Sequence, residues 1–193
     1  MHHATRKRTT YHPAAQTIAR RLLRTLGWTP VGGRPDGVRQ CVLVAGPHRT
    51  NWDLFYMLLT AVALNIPVTF LMKDTVFWWP LGYLWRYLGG IPVNRRERTN
   101  AVEQVIHAFE THPVLYLVIT PEGSRKNVGT WKSGFYHIAQ GAQVPILTAF
   151  IDYPSKSAGT GPLLPTTGDL IADFDQLADF YEQRTSLRPT LSK

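Results

Sequence analysis

With Cys41 as the one cysteine in 193 residues, no disulfide can form within the chain, which fits a reducing compartment or simple disuse of cysteine. No uninterrupted apolar core of about 7 to 15 residues follows the basic start, so no secretory signal is read and a cytoplasmic location is expected. Several catalytic motifs are missing as well. There is no G-x-S-x-G elbow, and neither Ser124 nor Ser133 has a nucleophile's local setting, which argues against a serine thioesterase. Without a Walker or G-x-G-x-x-G loop, nucleotide hydrolysis and a dinucleotide cofactor drop out. No H-E-x-x-H and no cysteine pair supports a metal centre, so His107, His112 and His137 are read as packing or surface residues and no metal is expected. Acidic residues are scarce at one end. Up to residue 40, Arg6, Lys7, Arg8, Arg20, Arg21, Arg24, Arg34 and Arg39 face Asp36 alone, so this segment holds +7 of the formal +8. A basic end on a nearly balanced body suggests attraction to a polyanionic surface, either anionic lipid or nucleic acid.

Residues 1–12 read as a disordered basic start, and 13–29 as an amphipathic helix. On that helix Ala15, Ile18, Ala19, Leu22, Leu23 and Leu26 make an apolar stripe opposite Gln16, Thr17, Arg20, Arg21 and Arg24, with Trp28 at the end. The pattern suits a helix lying in a membrane interface, and equally a surface helix of the domain. Leu54 to Met72 is uncharged and long enough for a membrane span, but Asn65-Ile66-Pro67 interrupts it and β-branched residues follow, which reads as helix, turn, strand.

The rest of the chain alternates. Strands are expected near 41–45, 68–72, 114–119 and 145–151, and helices near 52–64, 100–111, 132–142 and 174–184, with a short helical segment at 76–88. Asn100 with Glu103 resembles a capping box, and Gly141 a helix stop. Ser155 to Thr167, rich in Pro, Gly and Ser/Thr, reads as a loop, and 187–193 as a frayed tail. The expected fold is therefore α/β: a single layered domain over 30–186, with a largely parallel sheet flanked by helices, preceded by the basic amphipathic helix. Such sheets bind ligands at the carboxyl ends of their strands.

Two candidate sites fall on that edge. His48 follows the first strand, and Asp53 lies five residues on, where a regular helix would point the two apart. They can meet only if His48 lies in the turn and Asp53 in the first helical turn, where the helix dipole favours the carboxylate and disfavours a charged imidazole. That arrangement makes an oriented, uncharged histidine, a general base. Glu122-Gly123-Ser124-Arg125 follows the strand ending near Thr120 and gathers a carboxylate, a flexible backbone point, a hydroxyl and a guanidinium suited to phosphate. A third group runs Gly89 to Arg95 behind the aromatics Phe77, Trp78, Trp79, Tyr83, Trp85 and Tyr87, which suit an acyl-chain groove, a headgroup layer or core filling. Lys73 stands at the end of an apolar run, an unusual place for an unpaired cation. Cys41, on an apolar strand, reads as core.

Together these blocks, spanning about Cys41 to Ile151, resemble the glycerolipid acyltransferases whose best-known members are the 1-acylglycerol-3-phosphate acyltransferases. His48 and Asp53 match the family's H-x4-D block, Gly90 to Arg95 resembles the second, Glu122 to Arg125 is similar to the E-G-T-R block, and Val144-Pro145-Ile146 resembles the proline-centred fourth. Ser124 keeps the hydroxyl of the commoner threonine, while Pro92-Val93-Asn94 departs from the family's usual run before the arginine.

The resemblance implies transfer of a fatty acyl group from acyl-CoA or acyl carrier protein to the hydroxyl of a lysophospholipid, in phospholipid biosynthesis. It implies His48 as base and Asp53 as its orienting partner. Lys73, Arg95 and Arg125 would grip an acceptor phosphate beside Gly123 and Ser124, Glu122 would orient those cations or an acceptor hydroxyl, and Pro145, Trp78 and Trp79 would line the acyl pocket. Backbone N–H groups at the helix start after His48, or near Gly123, would hold the oxyanion. The expected partners are a membrane lipid surface, bound peripherally or monotopically on its cytoplasmic face, and the thioester donor, with no further cofactor and no nucleic acid. The alternatives are a different lysolipid or polar-lipid acceptor, or a non-catalytic protein that binds membrane or nucleic acid.

Overall fold

The apolar run after Gln40 forms β2 (Gln40–Gly46) at the centre of a seven-stranded sheet. The computed structural model describes residues 10–50, 52–73, 75, 77–87, 89–93, 101–123 and 129–192. Across the sheet the order is β1 (Thr29–Val31), β8 (Ser157–Leu164), β7 (Ile146–Asp152), β2, β5 (Leu115–Ile119), β3 (Val68–Lys73) and β4 (Gly90–Val93). Every neighbouring pair is parallel except β7 with β8. Val44 of β2 pairs with Ile119 on one side and Thr148 on the other, which brings the carboxyl ends of β2, β5 and β7 to one edge.

Burial on both faces explains why β2 is apolar at every position rather than at alternate ones. Val42 and Val44 face a core that includes Val105 and Phe109 of α4 (Ala101–Thr111), Phe135 and Ile138 of α5 (Gly134–Gly141), and Phe174 and Leu177 of α6 (Leu170–Thr185). Cys41 and Leu43 face the other way, towards Met57, Leu58 and Ala61 of α2 (Trp52–Ala63). Over α2 lies α1 (Pro13–Thr25), whose Ala19 and Leu23 are buried with Trp28, Ala63 and Ala158. The apolar stripe of α1 is thus divided. Half of it packs on the domain, while Ile18, Leu22 and Leu26 stay exposed. No helix among the described residues is long and apolar enough to cross a membrane, and residues 54–72 fold as helix, turn and strand.

Ser155 to Thr167 is not a loop: most of it is β8. Its glycines, which lower strand propensity, are there for close approach. A Cβ on Gly159 would lie 1.8 Å from the Val31 carbonyl oxygen, and one on Gly161 would lie 2.3 Å from the Phe180 ring. Pro162 falls at the irregularity between Leu147 and Ala149 of the partner strand, where a missing N–H is tolerated. The Gly159→Ala variant is accordingly expected to lose about 1–3 kcal/mol of folding stability, because the obstacle is strand backbone. Urea unfolding with an unchanged midpoint would contradict that packing.

The supposed frayed tail is tied down too. Thr190–Leu191 form β9, paired with β6 (Thr130–Trp131), and the Ser192 N–H donates to the Trp131 carbonyl at 2.7 Å. Two-residue strands leave no periodicity to read. Gly141 closes α5 by packing rather than by a left-handed turn: its Cβ would meet Ile106 at 2.5 Å, and Gln143 takes the positive φ. The helical segment expected at 76–88 begins later, as α3 (Leu81–Tyr87), and α6 begins earlier, capped by Asp169 accepting from the N–H groups of Ile171 and Ala172. Asn100 of the expected capping box lies outside the described residues.

Candidate active site

At the end of β2, Gly46 packs so closely on Trp131 that a Cβ would lie 2.9 Å from the indole. Pro47 follows, buried, and His48 lies in the turn before α2, with Asp53 as the second residue of that helix. The turn is folded around the Asp53 carboxylate. Its Oδ2 accepts the N–H groups of Arg49 at 2.6 Å and Thr50 at 2.8 Å, and its Oδ1 accepts the Thr50 hydroxyl at 2.9 Å. Thr50 also caps the helix, its Oγ1 accepting the Trp52 N–H. This curl brings His48 Nδ1 to 2.9 Å from Asp53 Oδ2. The His48 side chain is 31% exposed and that of Asp53 6%, so the ring is reachable while its partner is shielded.

Burial opposes charge on Asp53. The hydrogen bonds from His48, Tyr153 and Thr50 outweigh it, and the carboxyl is held well below the usual carboxylate range. It is therefore ionised at neutral pH. With Nδ1–H donated to that carboxylate, Nε2 carries the lone pair, the arrangement needed to accept a proton.

Glu122, 1% exposed, lies just past β5. It does not meet a cation among the described residues. Instead Oε2 accepts the His48 N–H at 2.9 Å and Oε1 accepts the Gly129 N–H at 3.3 Å, so this carboxylate fastens the backbone of the histidine. Those contacts also bear on the oxyanion. The N–H groups of His48, Arg49 and Thr50 are committed to Glu122 and Asp53, and that of Gly123 to the Thr120 carbonyl, which removes these four as free oxyanion donors.

An apolar cavity of about 270 Å³ opens beside the pair, between α2 and the sheet. It runs from His48 and Leu54, which reach solvent, past Met57 to Ala61 and Ile66, which are buried. Trp78 and Trp79 do not line it; they are 59% and 78% exposed, ahead of α3. Pro145 precedes β7 at the opposite edge of the sheet, its carbonyl accepting the Val42 N–H. The apolar lining comes from Leu54, Met57 and Ala61 of α2, the helix that also carries Asp53, and from the sheet residues Leu43, Val68 and Val118.

Lys73 ends β3 in register with Val93, so its backbone reaches the same edge as His48. Gly123 has φ +66°, which glycine adopts without strain. Arg95, Ser124 and Arg125 lie outside the described residues. Three residues escaped the sequence reading: Thr50, Tyr153 and Lys132. Lys132 comes near the Gly123 turn, its Nζ 3.7 Å from where a Cβ would stand. Thr50 carried a readable signal as a hydroxyl residue just before a helix. Cys41 is a poor nucleophile, since burial, only partly offset by Arg34, pushes its thiol up to about 12. Among the described residues no three His, Cys, Asp or Glu side chains cluster as a metal site would require.

A family model described as Acyltransferase matches residues 31–152, from the end of β1 to the end of β7. Among solved structures, the 1-acyl-sn-glycerophosphate (LPA) acyltransferase PlsC from Thermotoga maritima superposes with a TM-score of 0.61 at 16% identity, covering 89% of this chain and 78% of that one. At that identity the likeness establishes a shared fold. A comparison with curated protein sequences finds no match.

Proposed function

The chain belongs to the acyltransferase family, and from that membership we propose that it moves a fatty acyl group from an acyl thioester to the hydroxyl of a lysophospholipid, 1-acylglycerol-3-phosphate foremost. The observation that carries the proposal is the 2.9 Å contact of His48 Nδ1 with Asp53 at the solvent end of an apolar cavity. The acceptor oxygen attacks the thioester carbonyl as Nε2 takes its proton, and Asp53 stabilises the imidazolium that forms. The tetrahedral intermediate expels the thiolate of coenzyme A or carrier protein, leaving the new ester. The thiolate takes the proton from the imidazolium, and the base is regenerated.

Chain and headgroup go to different places. The cavity under α2 receives the hydrocarbon, while Lys73, Lys132, Arg95 and Arg125 meet the acceptor phosphate. A membrane delivers both lipids. Trp52, Leu54 and Phe55 at the start of α2 offer apolar surface next to the His48 turn, Ile18, Leu22 and Leu26 of α1 offer more of it, and Arg21 and Arg24 suit anionic headgroups. The protein works in this reading as a peripheral enzyme on a cytoplasmic membrane face.

The test is acylation of a panel of lysolipids with acyl-CoA donors of graded length, read by mass spectrometry. Lysophosphatidate is expected to be the best acceptor, and no ester product with any acceptor would refute the proposal. Filling the cavity with Ala61→Trp is expected to cut turnover of long-chain donors by about 10- to 100-fold, the loss typical of a blocked apolar subsite, and to spare the shortest ones. Equal effects on all chain lengths would place the chain elsewhere.

A further inference from the structure

Asp53 is held from two sides, and only one of them is the histidine. Tyr153, in the turn after β7, donates its hydroxyl to Asp53 Oδ1 at 2.6 Å and lies 2.9 Å from Thr50 Oγ1. The other oxygen, Oδ2, faces His48 Nδ1. Oδ1 also accepts the Thr50 hydroxyl, which itself lies against the phenol, so without Tyr153 this oxygen would keep one rotatable hydroxyl and the carboxylate would turn more freely about its Cβ–Cγ bond, out of alignment with the imidazole. A short bond from a rigid phenol stops that rotation.

The phenol is itself braced. The Trp28 ring meets Tyr153 edge-on at 5.2 Å and stacks on Tyr56 at 4.2 Å, and Tyr56 meets Tyr153 edge-on at 6.3 Å. Trp28 is 4% exposed and shares its cluster with Ala19 and Leu23 of α1. Tyr153 therefore stands where the segment after α1, the first turns of α2 and the end of β7 converge, its ring packed by Trp28 and Tyr56 and its hydroxyl on the Asp53 carboxylate.

We infer that Tyr153 is a positioning residue for acyl transfer: its hydroxyl fixes the plane of Asp53 so that Oδ2 faces His48, and Trp28 and Tyr56 fix the phenol. The inference rests on His48 and Asp53 acting as proposed above. Tyr153 touches neither substrate nor the reacting atoms in this role. Its effect passes wholly through the carboxylate, as preorganisation of a base requires.

That route makes a double-mutant cycle the decisive experiment. Tyr153→Phe keeps the packed ring and removes only the hydroxyl. It is expected to lower kcat by about 10- to 100-fold, the factor typical of losing one hydrogen bond to a charged group, with KM for donor and acceptor within about twofold of wild type. Added to Asp53→Asn, it should cost little more, because the group through which it acts is already lost. Three results would overturn the inference: a wild-type kcat in Tyr153→Phe, a rise in KM without a fall in kcat, or effects that multiply in the double variant. If Asp53→Asn alone keeps wild-type turnover, the base assignment itself falls and this inference falls with it. A loss in Asp53→Asn with none in Tyr153→Phe removes the tyrosine's role alone. Thermal melts of all three variants confirm that folded enzyme is compared.

Discussion

Replacing His48 with alanine is expected to lower acyl transfer by about 10²- to 10⁴-fold, the worth of a well-placed general base, while vesicle binding stays at the wild-type level. The expectation follows from how little else the histidine does. Its ring is partly open to solvent, its fastening to Glu122 runs through the backbone N–H, and alanine keeps that N–H. The exposed apolar surface that we propose meets a membrane lies on other side chains, Ile18, Leu22, Trp52 and Phe55 among them. Turnover and membrane association should therefore separate. Vesicle sedimentation alongside initial-rate assays checks both, and unchanged turnover would remove His48 from the chemistry.

Asp53→Asn is the second large effect, expected at about 10²-fold or more in kcat. Five donors converge on its two oxygens: the imidazole, two backbone N–H groups, the Thr50 hydroxyl and the Tyr153 hydroxyl. Backbone donors cannot turn round, but hydroxyls can. An asparagine would place its NH₂ towards Thr50 and Tyr153 and its oxygen towards His48, Arg49 and Thr50, so the turn survives and the charge does not. The imidazolium formed in the transition state then has no counter-charge.

The same substitution has a pH signature. Folding depresses the Asp53 pKa, so its contribution to stability is fully present above the unfolded carboxylate value of about 3.9 and is lost as pH falls through its own lower value. The stability difference between wild type and Asp53→Asn in urea unfolding should accordingly shrink as the pH is taken below about 4.

The central strands were legible because burial on both faces forces long β-branched and aliphatic runs, as in Cys41 to Val44 and Leu115 to Ile119. His48 and Asp53 were legible because their spacing is incompatible with one helix face and compatible with a turn. Contacts made across the fold were not. Tyr153 reaches Asp53 from 100 residues away, and nothing local to Asp152-Tyr153-Pro154 marks it except its place after a strand. Glu122 was expected to orient cations or an acceptor hydroxyl, and nothing local marks its bonds to the backbone N–H groups of His48 and Gly129. Composition also misled at β8, where Gly159 and Gly161 answer to neighbours that sequence does not display, and at Trp78 and Trp79, whose aromatic character says nothing of their exposure. The cavity surface was hidden in ordinary apolar residues of α2 and of the strands beneath it.

The most direct measurement follows free thiol released from a long-chain acyl-CoA on vesicles containing lysophosphatidate, for the wild type and for His48→Ala. Thiol and phosphatidate are expected in equal amounts, only when the acceptor is present and only with the histidine in place. Thiol released at the same rate without acceptor, or by His48→Ala as fast as by the wild type, would contradict proton removal from a lipid hydroxyl by the His48–Asp53 pair.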